Sequence, residues 1–308
     1  MGYLSIRHKA SVWIWRMCMP LARVGRRFGI LNLRVGHYEI ANVAYGLLAR
    51  LLPAGSKEVQ ATLPWATMLV PLWHLAATDY ITGSYEKETR QLFETLVKQG
   101  MTVVDVGAHL GYYTLLSARL VGPSGRVYAF EPDPRYHEFL LRSLQLNDFR
   151  NVEIAQKAVS NRTGLAPLFS DPRGGGGRLF TNLPYFTREL VQTVTLDQFF
   201  ADKGWPAVHL VKLDIEGGEE RALRGMRELN ERNPPLKLII ELAPAPMRLA
   251  GVRVEDVAAL LSDMGFKNGY VIGNERKTLP VPEGLSLIYE QLPKAGGRNI
   301  LCEKESRR

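Results

Sequence analysis

Residues 102 to 131 constrain this chain more than any other stretch. Val103, Val104 and Val106 have the pattern of a buried strand, and Gly107 and Gly111 flank a turn. Gly111 to Leu120 has helical periodicity, and Val127 to Phe130 returns to a strand pattern that ends on Glu131. A strand, a tight turn, a helix and a second strand within about thirty residues form one βαβ unit. Strands joined by such a crossover lie parallel, so the chain is committed to an α/β fold with a doubly wound, mostly parallel sheet.

The same alternation continues downstream. Asp133 and Pro134 stand as N-cap and first residue of a helix whose apolar face is Tyr136, Phe139, Leu140 and Leu144, and Asn147 and Asp148 end it. Val152 and Ile154 mark a third strand, Leu210 to Ile215 a fourth and Leu236 to Leu242 a fifth. A helix with Val254, Val257, Ala258 and Leu261 inward follows. Between the third and fourth strands, Asp171 to Tyr185 carries Gly174, Gly175, Gly176 and Gly177 and reads as a surface loop, with a substrate lid as the alternative.

The turn itself points to a ligand. Glycines at Gly107 and Gly111, around Ala108 and His109, let the backbone approach a bound group closely, and the helix that follows offers free N–H donors. Glu131, at the end of the next strand, is placed to accept hydrogen bonds from both hydroxyls of a ribose. An adenosine-containing cofactor follows from the pair. The Gly-x-x-x-Gly spacing lacks the third glycine of a dinucleotide turn, and Asp105 would repel a pyrophosphate. The same carboxylate suits a sulfonium ligand with an ammonium group, so S-adenosylmethionine is expected and a nicotinamide dehydrogenase is the weakest reading.

A second cluster, Lys212-Leu213-Asp214-Ile215-Glu216-Gly217-Gly218-Glu219, lies at the carboxyl end of the fourth strand, the edge where open α/β sheets bind ligands. On one strand, Asp214 and Glu216 at i and i+2 would face the same side. Asp214 is the expected base for a hydroxyl nucleophile; Glu216 is expected to orient substrate or carry a metal, and reads equally as a helix-opening acid. Glu241, at the end of the fifth strand, reads as a carboxylate paired with a neighbouring base, with membership of the acidic group as the alternative. His109 reads as a positioned hydrogen-bonding group before a base.

These stretches resemble the FkbM-type methyltransferases. The resemblance rests on Asp105-Val106-Gly107-Ala108 with Gly111-Tyr112-Tyr113-Thr114, on Phe130-Glu131-Pro132, on Lys212 to Gly217 with Glu219, and on Gly83-Ser84-Tyr85-Glu86 upstream. It implies a class I methyltransferase (Rossmann-like) fold and O-methylation of a hydroxyl on a sugar, a glycan, a lipid-linked glycan or a secondary metabolite. His109 departs from the asparagine that the family prefers.

The net charge of +8 does not make a nucleic-acid footprint, because the excess sits at one end. Arg7, Lys9, Arg16, Arg23, Arg26, Arg27 and Arg34 precede the first acid, Glu39, and the rest of the chain is nearly balanced. Lys9, Arg16, Arg23 and Arg27 follow helical spacing opposite Ile6, Trp13, Met17, Val24 and Phe28. Residues 1–34 therefore read either as a helix docked on its own domain or as a peripheral contact with the inner membrane surface. The expected organisation is a basic, partly amphipathic helical extension over 1–80 and a methyltransferase domain over 81–308. Ala61 to Ala77 is short for a membrane span and carries Pro64, Pro71 and His74. Cys18 and Cys302 lie too far apart in sequence to suggest a disulfide framework, which fits a reducing, cytoplasmic setting. Two further readings stand beside the small-molecule or glycan hydroxyl: methylation of an RNA ribose, and an inactive membrane-surface or scaffold module.

Overall fold

The computed structural model describes residues 58–74, 76–171, 177–179, 187–273, 278–291 and 297–304; the basic segment 1–34 and the glycines at 174–176 lie outside the described residues. Residues 58–62 and 69–85 belong to one compact unit, and residues 63–68 with those from 86 onward to another. Strands β1 (Glu58–Thr62) and β2 (Thr67–Pro71) form a two-stranded sheet. Helix α1 (Ala77–Thr82) stops at Gly83, whose left-handed backbone (φ 68°) turns the chain. Among the described residues no helix is long and apolar enough to cross a membrane.

The second unit opens with α2 (Lys87–Leu96) and runs through β3 (Thr102–Val106), α3 (Tyr112–Val121), β4 (Arg126–Phe130), α4 (Pro134–Asn147) and β5 (Val152–Ala155). Next come β6 (Ala158–Val159), β7 (Gly164–Ser170), β8 (Gly177–Arg178), β9 (Thr187–Val194) and α5 (Leu196–Ala201). The chain returns through β10 (Leu210–Leu213), α6 (Glu219–Arg224), α7 (Arg227–Arg232), β11 (Lys237–Leu242), α8 (Pro244–Ala250) and α9 (Val254–Asp263). It ends with β12 (Phe266–Val271), β13 (Thr278–Pro280), α10 (Glu283–Gln291) and β14 (Arg298–Lys304).

The main sheet has the order β13-β12-β14-β11-β10-β3-β4-β5. Strands β11, β10, β3, β4 and β5 pair in parallel, whereas β14 runs antiparallel to β11 and β12. From β3 the chain winds outward to β5 and then returns to lay β10 on the other side of β3. The order therefore reverses between β3 and β10, and the crevice beyond their carboxyl ends is where such sheets take ligands.

The expected elements form where their patterns predict, with shifted ends. Asp133 caps α4 by accepting the Arg135 amide, and Tyr136, Leu140 and Leu144 are buried while Phe139 is half-buried. Val254, Val257, Ala258 and Leu261 of α9 join the core with Val104, Val106, Val211, Leu213, Leu238 and Ile240. Helix α3 starts one residue later than its periodicity predicts, with Gly111 as a left-handed N-cap.

Two differences are larger. Strand β10 ends at Leu213 rather than at Ile215. A second sheet, β6-β9-β7-β8, is inserted between the third and fourth parallel strands and takes in Gly177, which the glycine run had placed in a loop. Its pattern is faint because Leu165 and Leu190 stand exposed, while Ala158, Leu168 and Val191 form a small buried cluster and Val159 and Val194 pack into the main core.

Candidate active site

The turn after β3 is held by the chain itself. The amides of Gly107 and Ala108 both donate to the Phe130 carbonyl at 3.0 Å. Gly107 has φ 86°, and a Cβ there would lie 1.9 Å from the Asp214 carbonyl oxygen, because the end of β10 crosses against it. Gly111 has φ 93°, and its Cβ would meet Leu140 Cδ1 at 2.3 Å. Packing against the backbone thus demands glycine at Gly107, and the left-handed backbone favours it at Gly111.

The acids sit around this turn. Asp105, buried under it, accepts the Thr114 hydroxyl at 2.6 Å; burial raises its pKa, against the pull of Lys212 and Thr114. Glu131, only 4% exposed, accepts the Asp133 amide on Oε1 and the His109 amide on Oε2, each at 2.8 Å. Its burial outweighs those two bonds and pushes its pKa up to about 8. His109 has φ 52° and its ring centroid lies 3.9 Å from that of Tyr136. Burial, then the charges of Lys212 and Arg135, lower its pKa to about 3, so the imidazole is neutral and a weak base.

The second cluster departs from its expected geometry. Because β10 stops at Leu213 and Glu216 takes a left-handed backbone (φ 56°), strand alternation does not put Asp214 and Glu216 on one face. The i, i+2 pair that meets is Lys212 and Asp214, with Nζ to Oδ2 at 2.6 Å. Glu216 instead pairs with Arg178 of β8 at 3.0 Å, and burial raises its pKa. It does not open a helix either, since α6 starts at Glu219. Glu219 holds the loop by accepting the amides of Ile215 (3.0 Å) and Gly217 (3.3 Å), and burial pushes its pKa up to about 8.

Glu241 corrects the reading of a base-paired strand end. Among the described residues it has no ion pair; burial, with the neighbouring charges of Asp214, Glu216, Glu219 and Glu86, raises its pKa far above the ordinary carboxylate range. It belongs to the acidic group. Lys212, Tyr113 and Glu86 stand in the motif stretches without an expected role, and Arg178 stands outside them. For Lys212 a signal existed: a lysine inside the apolar run Leu210-Val211-Lys212-Leu213 is buried only when its charge is compensated. Arg178 had none, since it follows a run of four glycines and its partner lies 38 positions away. Among the described residues no group of three or more His, Cys, Asp or Glu is arranged to hold a metal.

The Methyltransferase FkbM domain matches residues 105–268, more than half of the chain and the whole stretch from Asp105 to β12. The chain belongs to the FkbM methyltransferase family. It is a methyltransferase, built on a doubly wound, mostly parallel sheet. Methyltransferase sdnD of Sordaria araneosa is 27% identical over 197 residues, covering 53% of this chain and 73% of that protein. The 31-O-demethyl-FK506 methyltransferase FkbM of Streptomyces tacrolimicus is 25% identical over 203 residues, covering 55% of this chain and 74% of that one. Among solved structures, Aeropyrum pernix fibrillarin with natively bound S-adenosyl-L-methionine superimposes with a TM-score of 0.39 at 14% identity, covering 70% of this chain and 74% of that one.

Proposed function

We propose that this family member transfers the methyl group to a hydroxyl oxygen of a sugar, a glycan or a secondary metabolite, at the carboxyl edge of β3, β4 and β10. The reading is supported by the acids along this edge of the sheet: Asp105 on β3, Glu131 after β4, Asp214 and Glu216 after β10, and Glu241 on β11. The relative named for a 31-O-demethyl-FK506 substrate favours a secondary-metabolite hydroxyl as the acceptor.

The donor set fits the cofactor. Glu131 keeps a further lone pair on each oxygen after taking two amides, the acceptor arrangement that a pair of ribose hydroxyls requires. Asp105 lies beneath the turn, where a buried acid favours a cationic ligand. In this reading Gly107, Ala108, His109 and Gly111 shape the backbone wall of the cofactor site. When bound, S-adenosylmethionine supplies a methyl group on a positively charged sulfur.

The protein's contribution is chiefly positioning. Asp214, with side-chain exposure of 19%, accepts the acceptor's hydroxyl hydrogen and takes the proton as the oxygen attacks. Its ion pair with Lys212 fixes the carboxylate in place, so alignment carries most of the rate. Glu216, clamped by Arg178, orients the acceptor. Calorimetric titration with S-adenosylmethionine, S-adenosylhomocysteine and NAD tests the cofactor site: the two adenosyl ligands bind, NAD does not, and Glu131→Gln weakens both about tenfold, roughly 1.4 kcal/mol. Methyl transfer to an extract then tests the chemistry. Asp214→Asn keeps saturable cofactor binding and loses turnover by about a hundredfold or more; full activity in that variant overturns its role.

A further inference from the structure

Lys212 is the buried charge that this mechanism does not use directly. Its side chain is 2% exposed, its Nζ lies 2.6 Å from Asp214 Oδ2, and it sits 4.7 Å from the centroid of the Tyr113 ring, on whose face a cation is attracted. That ring is itself fixed, because the Tyr113 hydroxyl donates to Glu86 Oε2 at 2.8 Å and Asn299 Nδ2 donates to the same oxygen at 2.9 Å. In the parallel register of β10 and β3, Lys212 stands opposite Asp105. One ammonium therefore stands among three acids, Asp214, Asp105 and Glu86, all of which act on it electrostatically.

We propose that Lys212 is the positioning residue of the site: seated on Tyr113, it holds the Asp214 carboxylate at the end of β10, and its charge sets how strongly the site prefers the cationic methyl donor over the neutral thioether product. The inference rests on the cofactor reading above. The donor and S-adenosylhomocysteine differ by one methyl group and by the positive charge on sulfur. The ratio of their affinities therefore reports the field at the sulfur, while losses of shape or stability weaken both ligands together. Removing Asp214's charge lowers the preference for the donor, removing Lys212's charge raises it, and removing both returns it towards the wild-type value.

The test is calorimetry on the full chain with S-adenosylmethionine and S-adenosylhomocysteine. The proteins compared are the wild type, Lys212→Met, Asp214→Asn and the double variant. Expected are ratio changes of about tenfold in opposite directions for the single variants, with the double variant within about threefold of wild type. Lys212→Met leaves the half-buried Asp214 carboxylate unpaired and is the variant most exposed to misfolding, whereas the double variant removes the whole ion pair. If the single variant does not fold, Asp214→Asn against the double variant decides. Equal ratios in those two, or single-variant ratios within threefold of wild type, overturn the proposal. Absence of binding to the folded wild type overturns the cofactor reading instead.

Discussion

Two residues of the turn and its neighbouring loop give the protein opposite responses to pH. His109 has its pKa depressed from 6.5 to about 3, so the fold favours the neutral ring. The stability it contributes is present above pH 6.5 and is lost as pH falls towards 3. Asparagine also tolerates φ 52°. His109→Asn is therefore expected to fold and to reduce the loss of unfolding free energy between pH 7 and 5 by about 2 kcal/mol, read from urea melts. Glu219 runs the other way. Its pKa rises from 4.5 to about 8, so its contribution is complete below pH 4.5 and is lost as pH climbs through about 8. Glu219→Gln is expected to flatten the alkaline decline by about 1 kcal/mol per pH unit between 5 and 8; an unchanged slope in urea melts contradicts the burial of that carboxyl.

The elements owe their ends to contacts remote in sequence as well as to local caps. Helix α4 is the local case: Asp133 and Pro134 start it, and its apolar spacing selects the buried face. Helix α3 is the remote case. Its carboxyl end is closed by Asn151, whose Nδ2 donates to Ala118 O at 2.9 Å and to Gly122 O at 2.8 Å. Asn151→Ala leaves both carbonyls without that donor and is expected to cost about 2 kcal/mol in thermal or urea unfolding, with little change in cofactor affinity. Strand β10 shows why its end was misplaced from sequence. Ile215 continues the apolar pattern, but the ladder with β3 ends with the bond from Asp214 N to Val106 O, and Glu219 then gathers the amides of Ile215 and Gly217. Gly217 and Gly218 announce a turn, but not the residue at which the strand ends.

For the molecule as a whole, cofactor binding and folding are one linked equilibrium. Glu131 and Asp105 are buried acids whose elevated pKa values record a cost to the unliganded fold. A ligand that binds only the folded state adds about 2.7 kcal/mol of stability at a hundred times its dissociation constant. S-adenosylhomocysteine at that excess is expected to raise the melting temperature by a few degrees, and NAD at equal concentration to leave it unchanged. No shift with S-adenosylhomocysteine would contradict binding at the β3–β10 edge.

The α/β class, the βαβ unit over 102–131, the cap of α4 and the inward face of α9 were legible in the chain alone, because each is written in periodicity and capping over neighbouring residues. The acids that matter were visible as residue types on strand ends. What they touch was decided by the tertiary structure. Gly107 is required by a carbonyl 107 positions further on, Glu241 joins the acids of β10 through strand order, and Lys212 meets Tyr113 across two elements. The second sheet was hidden for the same reason: Leu165 and Leu190 face outward and blur its alternation, and the pairing of β7 with β9 across distant residues determines it. Local pattern specifies which elements form; charge pairing and close backbone approach exist only once those elements are packed.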